Sequence, residues 1–373
     1  MRSAAVALVL ALVAQTSAQL SAASISAALQ SQGLTSFASF LTANGSSVLS
    51  QVASQGAGTI FAPSNAALAN TTSLSAGQLS YHVARGSFPA SALTTSDSIA
   101  RTYYSTNVLL PGNQSQVVVL GLAGSSVQVR QGLSNSTSVN STQTGSLVIH
   151  AMDTVLSVPA DLGTTAAAAG LSSLVTVLTT QIPSLVPALL NTRGITVFAP
   201  MNAAFSTTNL VALLSSIPAG SIANVLAAHV TNGTVVYSNE MQTGTEVTPL
   251  GGTPLRFISN ATGTFVAGEF STAKILIPDV PISNGVVHVI SNVIVSTTAD
   301  AAAAASAASS AYAQAATQTA PQTGLVSATL ATYGSGATAS SGPSSKPASG
   351  ASRTSFSLAA LAFAVLVAYA QAL

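Results

Sequence analysis

Two tandem α+β domains followed by a disordered low-complexity stalk is the architecture that the sequence predicts, and three observations predict it. A ten-residue block recurs at a fixed distance, each copy passes from helical to strand-like periodicity, and the composition changes after residue 297. The block Thr59-Ile60-Phe61-Ala62-Pro63-Ser64-Asn65-Ala66-Ala67-Leu68 returns 137 residues later as Thr196-Val197-Phe198-Ala199-Pro200-Met201-Asn202-Ala203-Ala204-Phe205. Upstream, Gly33-Leu34-Thr35-Ser36 matches Gly170-Leu171-Ser172-Ser173 at the same offset, and downstream Val148-Ile149-His150 matches Val286-Val287-His288 at 138. Solenoid repeats run to about 50 residues, so a period this long means that each copy buries its own core.

In chain order, residues 1–18 carry Arg2, an apolar run over 4–14 and the small residues Thr16-Ser17-Ala18. That is the pattern of a secretory signal peptide, and it is set apart from the fold. Ile25, Leu29, Leu34, Phe37, Phe40 and Leu41 then fall at spacings of three and four, an amphipathic helix broken at Gly33; Leu171, Leu174, Val175 and Leu178 repeat it. Thr-Ile-Phe-Ala-Pro reads as a short strand ended by proline. Ser64 or Asn65, and Asn202 in the second copy, are expected to cap the turn that follows, with ligand presentation by that loop as the functional alternative.

Short alternating segments at 117–120, 126–130 and 147–150, and at 234–237, 255–258, 274–277 and 286–290, read as strands, with Gly251-Gly252 placed for a hairpin turn. Helices before strands argue for α+β rather than parallel α/β. The domains are thereby bounded at 19–158 and 159–297. From 298 to 349 Ala, Ser, Thr, Gly and Pro take over, and the alanine run offers no apolar face to pack, so this is read as the stalk. Residues 358–373 are apolar and uncharged, behind a polar stretch and the small Ala348-Ser349-Gly350-Ala351. This predicts a glycolipid-anchor signal over 350–373, attached at Ser349 or Gly350; a transmembrane helix is the rival, and would need about 20 apolar residues and usually a basic flank.

Composition narrows the function. Charged residues make up 5% of 373, against about 25% in ordinary soluble domains, so Ser, Thr, Asn, Gln or sugar must wet the surface. Acceptor sequons stand at Asn44, Asn70, Asn113, Asn135, Asn140, Asn232 and Asn260. A net charge of +1 provides no basic stripe for phosphates, which argues against nucleic acid as a partner. With no cysteine, disulfides, thiolate chemistry and Cys-ligated zinc are excluded. Neither a Gly-x-Ser-x-Gly elbow, a His-Glu-x-x-His pair, a Walker loop nor a Gly-x-Gly-x-x-Gly turn occurs. No enzyme activity and no cofactor is expected.

The histidines, His82, His150, His229 and His288, have two readings. Each domain's pair could form a metal or acid/base site, or each ring could be buried and hydrogen-bonded to backbone. Strand alternation places His150 and Asp153 on opposite faces, and the structural reading is the one expected.

The paired Phe-Ala-Pro-x-Asn-Ala-Ala boxes (Phe61, Pro63 and Asn65; Phe198, Pro200 and Asn202), the intervening Tyr81-His82 and the late boxes ending in His150 and His288 together resemble the fasciclin domain family, over roughly 20–158 and 159–297. The resemblance implies a twisted β-wedge with packed helices, found in extracellular adhesion and matrix proteins often held by a glycolipid. It also implies partners at the cell surface, in the matrix or in the wall, this chain itself among them. A structural glycoprotein of the wall, without specific recognition, is the alternative. The copies depart from one another: Asp153 follows the first late box where Ser291 follows the second, and Ala228-His229 replaces Tyr81-His82.

Overall fold

The computed structural model describes residues 20–131, 134–181, 183, 185–206, 219–295 and 299–317. The expected signal peptide and the anchor region with Ser349 and Gly350 lie outside these.

The first domain opens with helices α1 (Ala22–Ser31), α2 (Thr35–Asn44) and α3 (Ser46–Gln55). Ser21 caps α1 by accepting from Ser24 N, and Gly33, at φ 75, makes the break between α1 and α2 that the periodicity predicts. Ile25, Leu29, Phe37, Ala38 and Leu41 turn inward from the two helices. After them come β1 (Gly58–Pro63), α4 (Ala76–Tyr81), β2 (Val83–Arg85), β3 (Ser98–Arg101), β4 (Val117–Ala123), β5 (Ser126–Gln131), β6 (Ser134–Thr144) and β7 (Leu147–Met152). These strands form one sheet in the order β2-β1-β7-β6-β5-β4-β3. A bridge between Ala84 and Thr102 draws its two edges together, curling the sheet into a wedge around the cluster of Phe61, Tyr81, Val118, Leu120 and Val129.

The second domain repeats the plan with α5 (Leu162–Ala168), α6 (Ser172–Thr176), α7 (Leu185–Asn191), β8 (Ile195–Pro200), α8 (Asn202–Ser206), α9 (Ala219–Ala227), β9 (Val230–Asn232), β10 (Glu246–Val247), β11 (Leu255–Asn260), β12 (Gly263–Ala267), β13 (Thr272–Ile282) and β14 (Gly285–Ile290). Its sheet order is β10-β11-β12-β13-β14-β8-β9. Within each sheet one pair is parallel, β1 with β7 and β8 with β14, and the other pairs are antiparallel.

Two segments differ from the sequence reading. Residues 234–237 are not a strand. Val236 points into the second domain's core while Tyr237 packs against the first domain, so their apolar pattern reflects burial from two sides rather than a ladder. Residues Ala301–Thr317, expected within the stalk, form a helix that packs on both domains. Alanines carry no apolar stripe in sequence, yet their small side chains let a helix lie against glycines. Among the described residues, no helix is long and apolar enough to cross a membrane.

Candidate functional site

The two sequence boxes of each copy are neighbouring strands. Phe61 stands opposite His150 in the β1–β7 pair, and Phe198 opposite His288 in the β8–β14 pair. The rings stack at centroid distances of 5.6 Å in both copies. Both strands are buried along their whole length, which is why each box reads as a continuous apolar run.

Each histidine uses both ring nitrogens on the protein itself. His82 Nδ1 lies 2.8 Å from Gln78 O, one helical turn back, and its Nε2 accepts from Leu156 N at 3.0 Å. His229 repeats this with Val225 O at 2.6 Å and Ile294 N at 2.9 Å. These rings therefore carry the proton on Nδ1 and tie the helix before β2 or β9 to the chain leaving β7 or β14. The late-box histidines take the other tautomer: His150 Nε2 donates to Phe88 O at 2.9 Å and His288 Nε2 to Val236 O at 2.9 Å. Their Nδ1 atoms face Ser141 Oγ at 2.8 Å and accept from Asp279 N at 3.2 Å respectively. Burial pushes His82, His229 and His288 down to about 4, and lowers His150 as well. A neutral ring with both nitrogens occupied offers neither a metal lone pair nor a free base. Among the described residues, no three metal-ligating side chains gather.

Asn65 and Asn202 do not cap the turns that follow them. Asn65 Oδ1 accepts from Ser36 N at 3.0 Å and its Nδ2 donates to Gly33 O at 2.9 Å; Asn202 does the same with Ser173 N and Gly170 O. They cap α2 and α6 from across the fold, while Ser64 caps its own turn through Ala67 N. The recurring Gly33–Ser36 and Gly170–Ser173 tetrapeptides are thus the binding partners of the recurring asparagines. Asp153 is not brought to His150: its Oδ1 accepts from Thr137 N at 2.8 Å. Ser291 Oγ accepts from Lys274 N at 2.9 Å at the matching place, so serine does in the second copy what aspartate does in the first. Tyr81 donates to Val117 O at 3.1 Å in the first core, and the second copy places buried Ala228 there. Pro63 and Pro200 end the central strands.

Sequence reasoning missed the joint between the domains. Ile99, Val117 and Val119 of the first pack with Tyr237 and Val286 of the second, all fully or nearly fully buried. Gln116 Nε2 donates to Ile282 O at 2.9 Å, Leu109 N to Ser283 O at 3.1 Å, and Gly194 N to Leu109 O at 2.9 Å. In a chain with only nine Lys+Arg and eight Asp+Glu, charges collect here: Asp97, Arg101 and Arg130 from one domain, with Arg85 beside Arg101, and Glu240 and Asp279 from the other. Arg130 pairs with Asp97 at 3.1 Å, and Ser238 N donates to Asp279 at 2.8 Å. Burial outweighs these partners and pushes Asp97 and Asp279 up to about 6 and Glu240 up to about 7.

The C-terminal helix closes the joint from outside. Asp300 caps it through Ala303 N at 2.9 Å, and Tyr312 donates to Arg193 O at 3.0 Å and Asn232 Oδ1 at 2.8 Å. It lies on Gly252 and Gly233 of the second domain and Gly112 of the first, where a Cβ would stand 2.0 Å from Asp300 O, 3.2 Å from Ala308 O and 2.7 Å from Ala315 O. Gly252→Val, also strained at φ +81, is expected to lift the helix; hydrogen exchange over 301–317 should rise while the sheet amides stay protected.

The chain matches the Fasciclin domain family model twice, over residues 32–159 and 169–296. No curated protein matches it. Among solved structures it is similar to a FAS1 domain pair from the insect cell adhesion molecule Fasciclin I. The two share 18% identity, over 72% of this chain and 98% of that one, with a TM-score of 0.37. With both repeats covered by the family model, and both signature boxes paired as adjacent strands in each, the chain belongs to the fasciclin domain family.

Proposed function

We propose that this is a secreted, N-glycosylated, glycolipid-anchored surface protein whose two fasciclin domains mediate adhesion between cells or to matrix or wall. Fasciclin domains are known from cell adhesion proteins, and a tandem pair fits that role. The single observation that carries the reading is that the motif histidines and asparagines are spent inside the fold. What each domain has left to offer a partner is therefore its surface. Six sequons, at Asn44, Asn70, Asn113, Asn135, Asn140 and Asn260, are exposed, and Asn232 is half-buried beside Tyr312, so sugar has access to most of that surface. The apolar tail supports the anchor, and the leader supports secretion.

The test is aggregation of beads coated with glycosylated ectodomain, residues 19–347, alone and with cells lacking the protein, before and after removal of the sugars. Clumping or cell capture is expected. Inert beads under every condition would contradict the proposal and favour a structural coat that only spaces and hydrates the surface.

A further inference from the structure

Asn232 stands at the seam between the second domain and the Ala301–Thr317 helix. It ends β9, is half-buried, and its Oδ1 lies 2.8 Å from the Tyr312 hydroxyl, which also reaches Arg193 O at 3.0 Å. Its neighbour Gly233 is buried under the same helix: a Cβ there would stand 3.2 Å from both Ala308 O and Ala311 Cβ, and 3.5 Å from the Tyr312 ring. Asn232-Gly233-Thr234 is also an acceptor sequon, so the amide that the helix holds is one that can carry sugar.

The two uses of that amide compete for one space. Sugar transfer forms a bond between Asn232 Nδ2 and C1 of the sugar, breaks the C1–O bond of an oligosaccharide carried on a lipid diphosphate, and releases one Nδ2 proton to the leaving diphosphate. The product is a secondary amide, planar and trans, so Cβ and C1 lie on opposite sides of the Cγ–Nδ2 bond. C1 and the ring behind it are thereby held on the Oδ1 side, beside the Tyr312 hydroxyl, while Ala308 and Ala311 close the neighbouring ground over Gly233. Order of synthesis favours the sugar, since residues 301–317 are made after the sequon and fold onto it.

We infer that Asn232 is a glycosylation switch for the C-terminal helix: sugar on Asn232 and docking of residues 301–317 exclude one another. The inference rests on the N-glycosylated part of the proposed function. Docked, the helix runs from Asp300, on Gly251 and Gly252 of the second domain, to Ala315, on Gly112 of the first, and so straps the joint. Lifted by sugar, it uncovers that side of the joint and adds its 17 residues to the stalk, lengthening the reach toward a partner by up to about 55 Å. An alanine-rich helix of 17 residues is marginal in water once it loses its seat, so lifting it also melts it.

The test is glycopeptide mass spectrometry with hydrogen exchange on the 19–347 ectodomain secreted from eukaryotic cells, as parent, Thr234→Ala and Ala308→Pro. Thr234→Ala removes the sequon but keeps Asn232 and the Thr234 carbonyl that Thr196 and Thr231 use, whereas Ala308→Pro breaks the helix and keeps the sequon. The other six sequons, Asn113 beside Arg193 among them, are the same in all three. Molecules with sugar on Asn232 are expected to lose protection over 301–317, and those without it, every Thr234→Ala molecule included, to keep it. An amidase, which leaves aspartate at 232 and so an acceptor for Tyr312, should restore protection; an endoglycosidase that leaves one N-acetylglucosamine should not. Should the docked helix win in the parent and leave Asn232 bare, Ala308→Pro must raise its occupancy. Residues 301–317 equally protected, or equally open, with and without sugar on Asn232 would overturn the inference, as would Asn232 bare in both parent and Ala308→Pro while Asn70 and Asn135 carry sugar; either result leaves the glycosylation reading standing. Asn70 and Asn135 bare as well would overturn both.

Discussion

Replacing His82 by phenylalanine is expected to destabilise the first domain by roughly 2–5 kcal/mol, because two buried polar groups lose their partner at once. The ring fills the same space and keeps its neighbour Phe37, whose centroid lies 5.5 Å away. The Gln78 carbonyl and the Leu156 N–H, however, lose their bonds to the ring in a site closed to water. His229→Phe should do the same to the second domain by orphaning Val225 O and Ile294 N. Urea unfolding followed by domain-resolved hydrogen exchange checks both: each variant should loosen its own domain first. Equal protection in variant and parent would mean that the staples contribute little.

The second large effect is an acid limit on stability. The folded-state values of His82, His229 and His288 lie near 4, below the ordinary 6.5, so the neutral rings contribute stability that is complete above 6.5 and lost as pH falls from 6.5 through 4. By linkage each is worth about 3 kcal/mol over that window. The joint runs the other way. Asp97, Asp279 and Glu240 have raised values of about 6, 6 and 7, so their contribution is complete below the ordinary carboxylate range and lost as pH rises through 6 to 7. Thermal unfolding of the domains should therefore move to lower temperature as pH drops from 6.5 to 4. The distance between labels on the two domains should instead spread as pH rises from 5 to 8. Asp279→Asn with Glu240→Gln should flatten the second response and leave the first.

Much of this was legible because duplication prints the same physics twice. The boxes recur because β1 and β7, and β8 and β14, must lie side by side with Phe61 against His150 and Phe198 against His288. Local rules misassign Asn65 to its own turn, whereas its partner, Gly33–Ser36, recurs at the same offset and is the signal that pairs the two. The joint left no such mark. Arg101, Arg130, Asp97, Glu240 and Asp279 are single charges scattered over the chain; Arg130 pairs with Asp97 within the first domain, and the two domains' charges come together only when their sheets meet. Nor does an alanine run announce that Gly112, Gly233 and Gly252 wait to seat it, since close backbone approach leaves no hydrophobic periodicity.

The claim at the centre of this account is that the motif histidines hold the fold and leave recognition to the surface. Nitrogen-detected NMR of the histidine rings, taken across pH and with added zinc, tests it most directly. The account predicts Nδ1–H tautomers for His82 and His229, Nε2–H tautomers for His150 and His288, no ring titrating near 6.5, and no response to zinc. A ring that titrates near 6.5, or one that shifts when zinc is added, would contradict it.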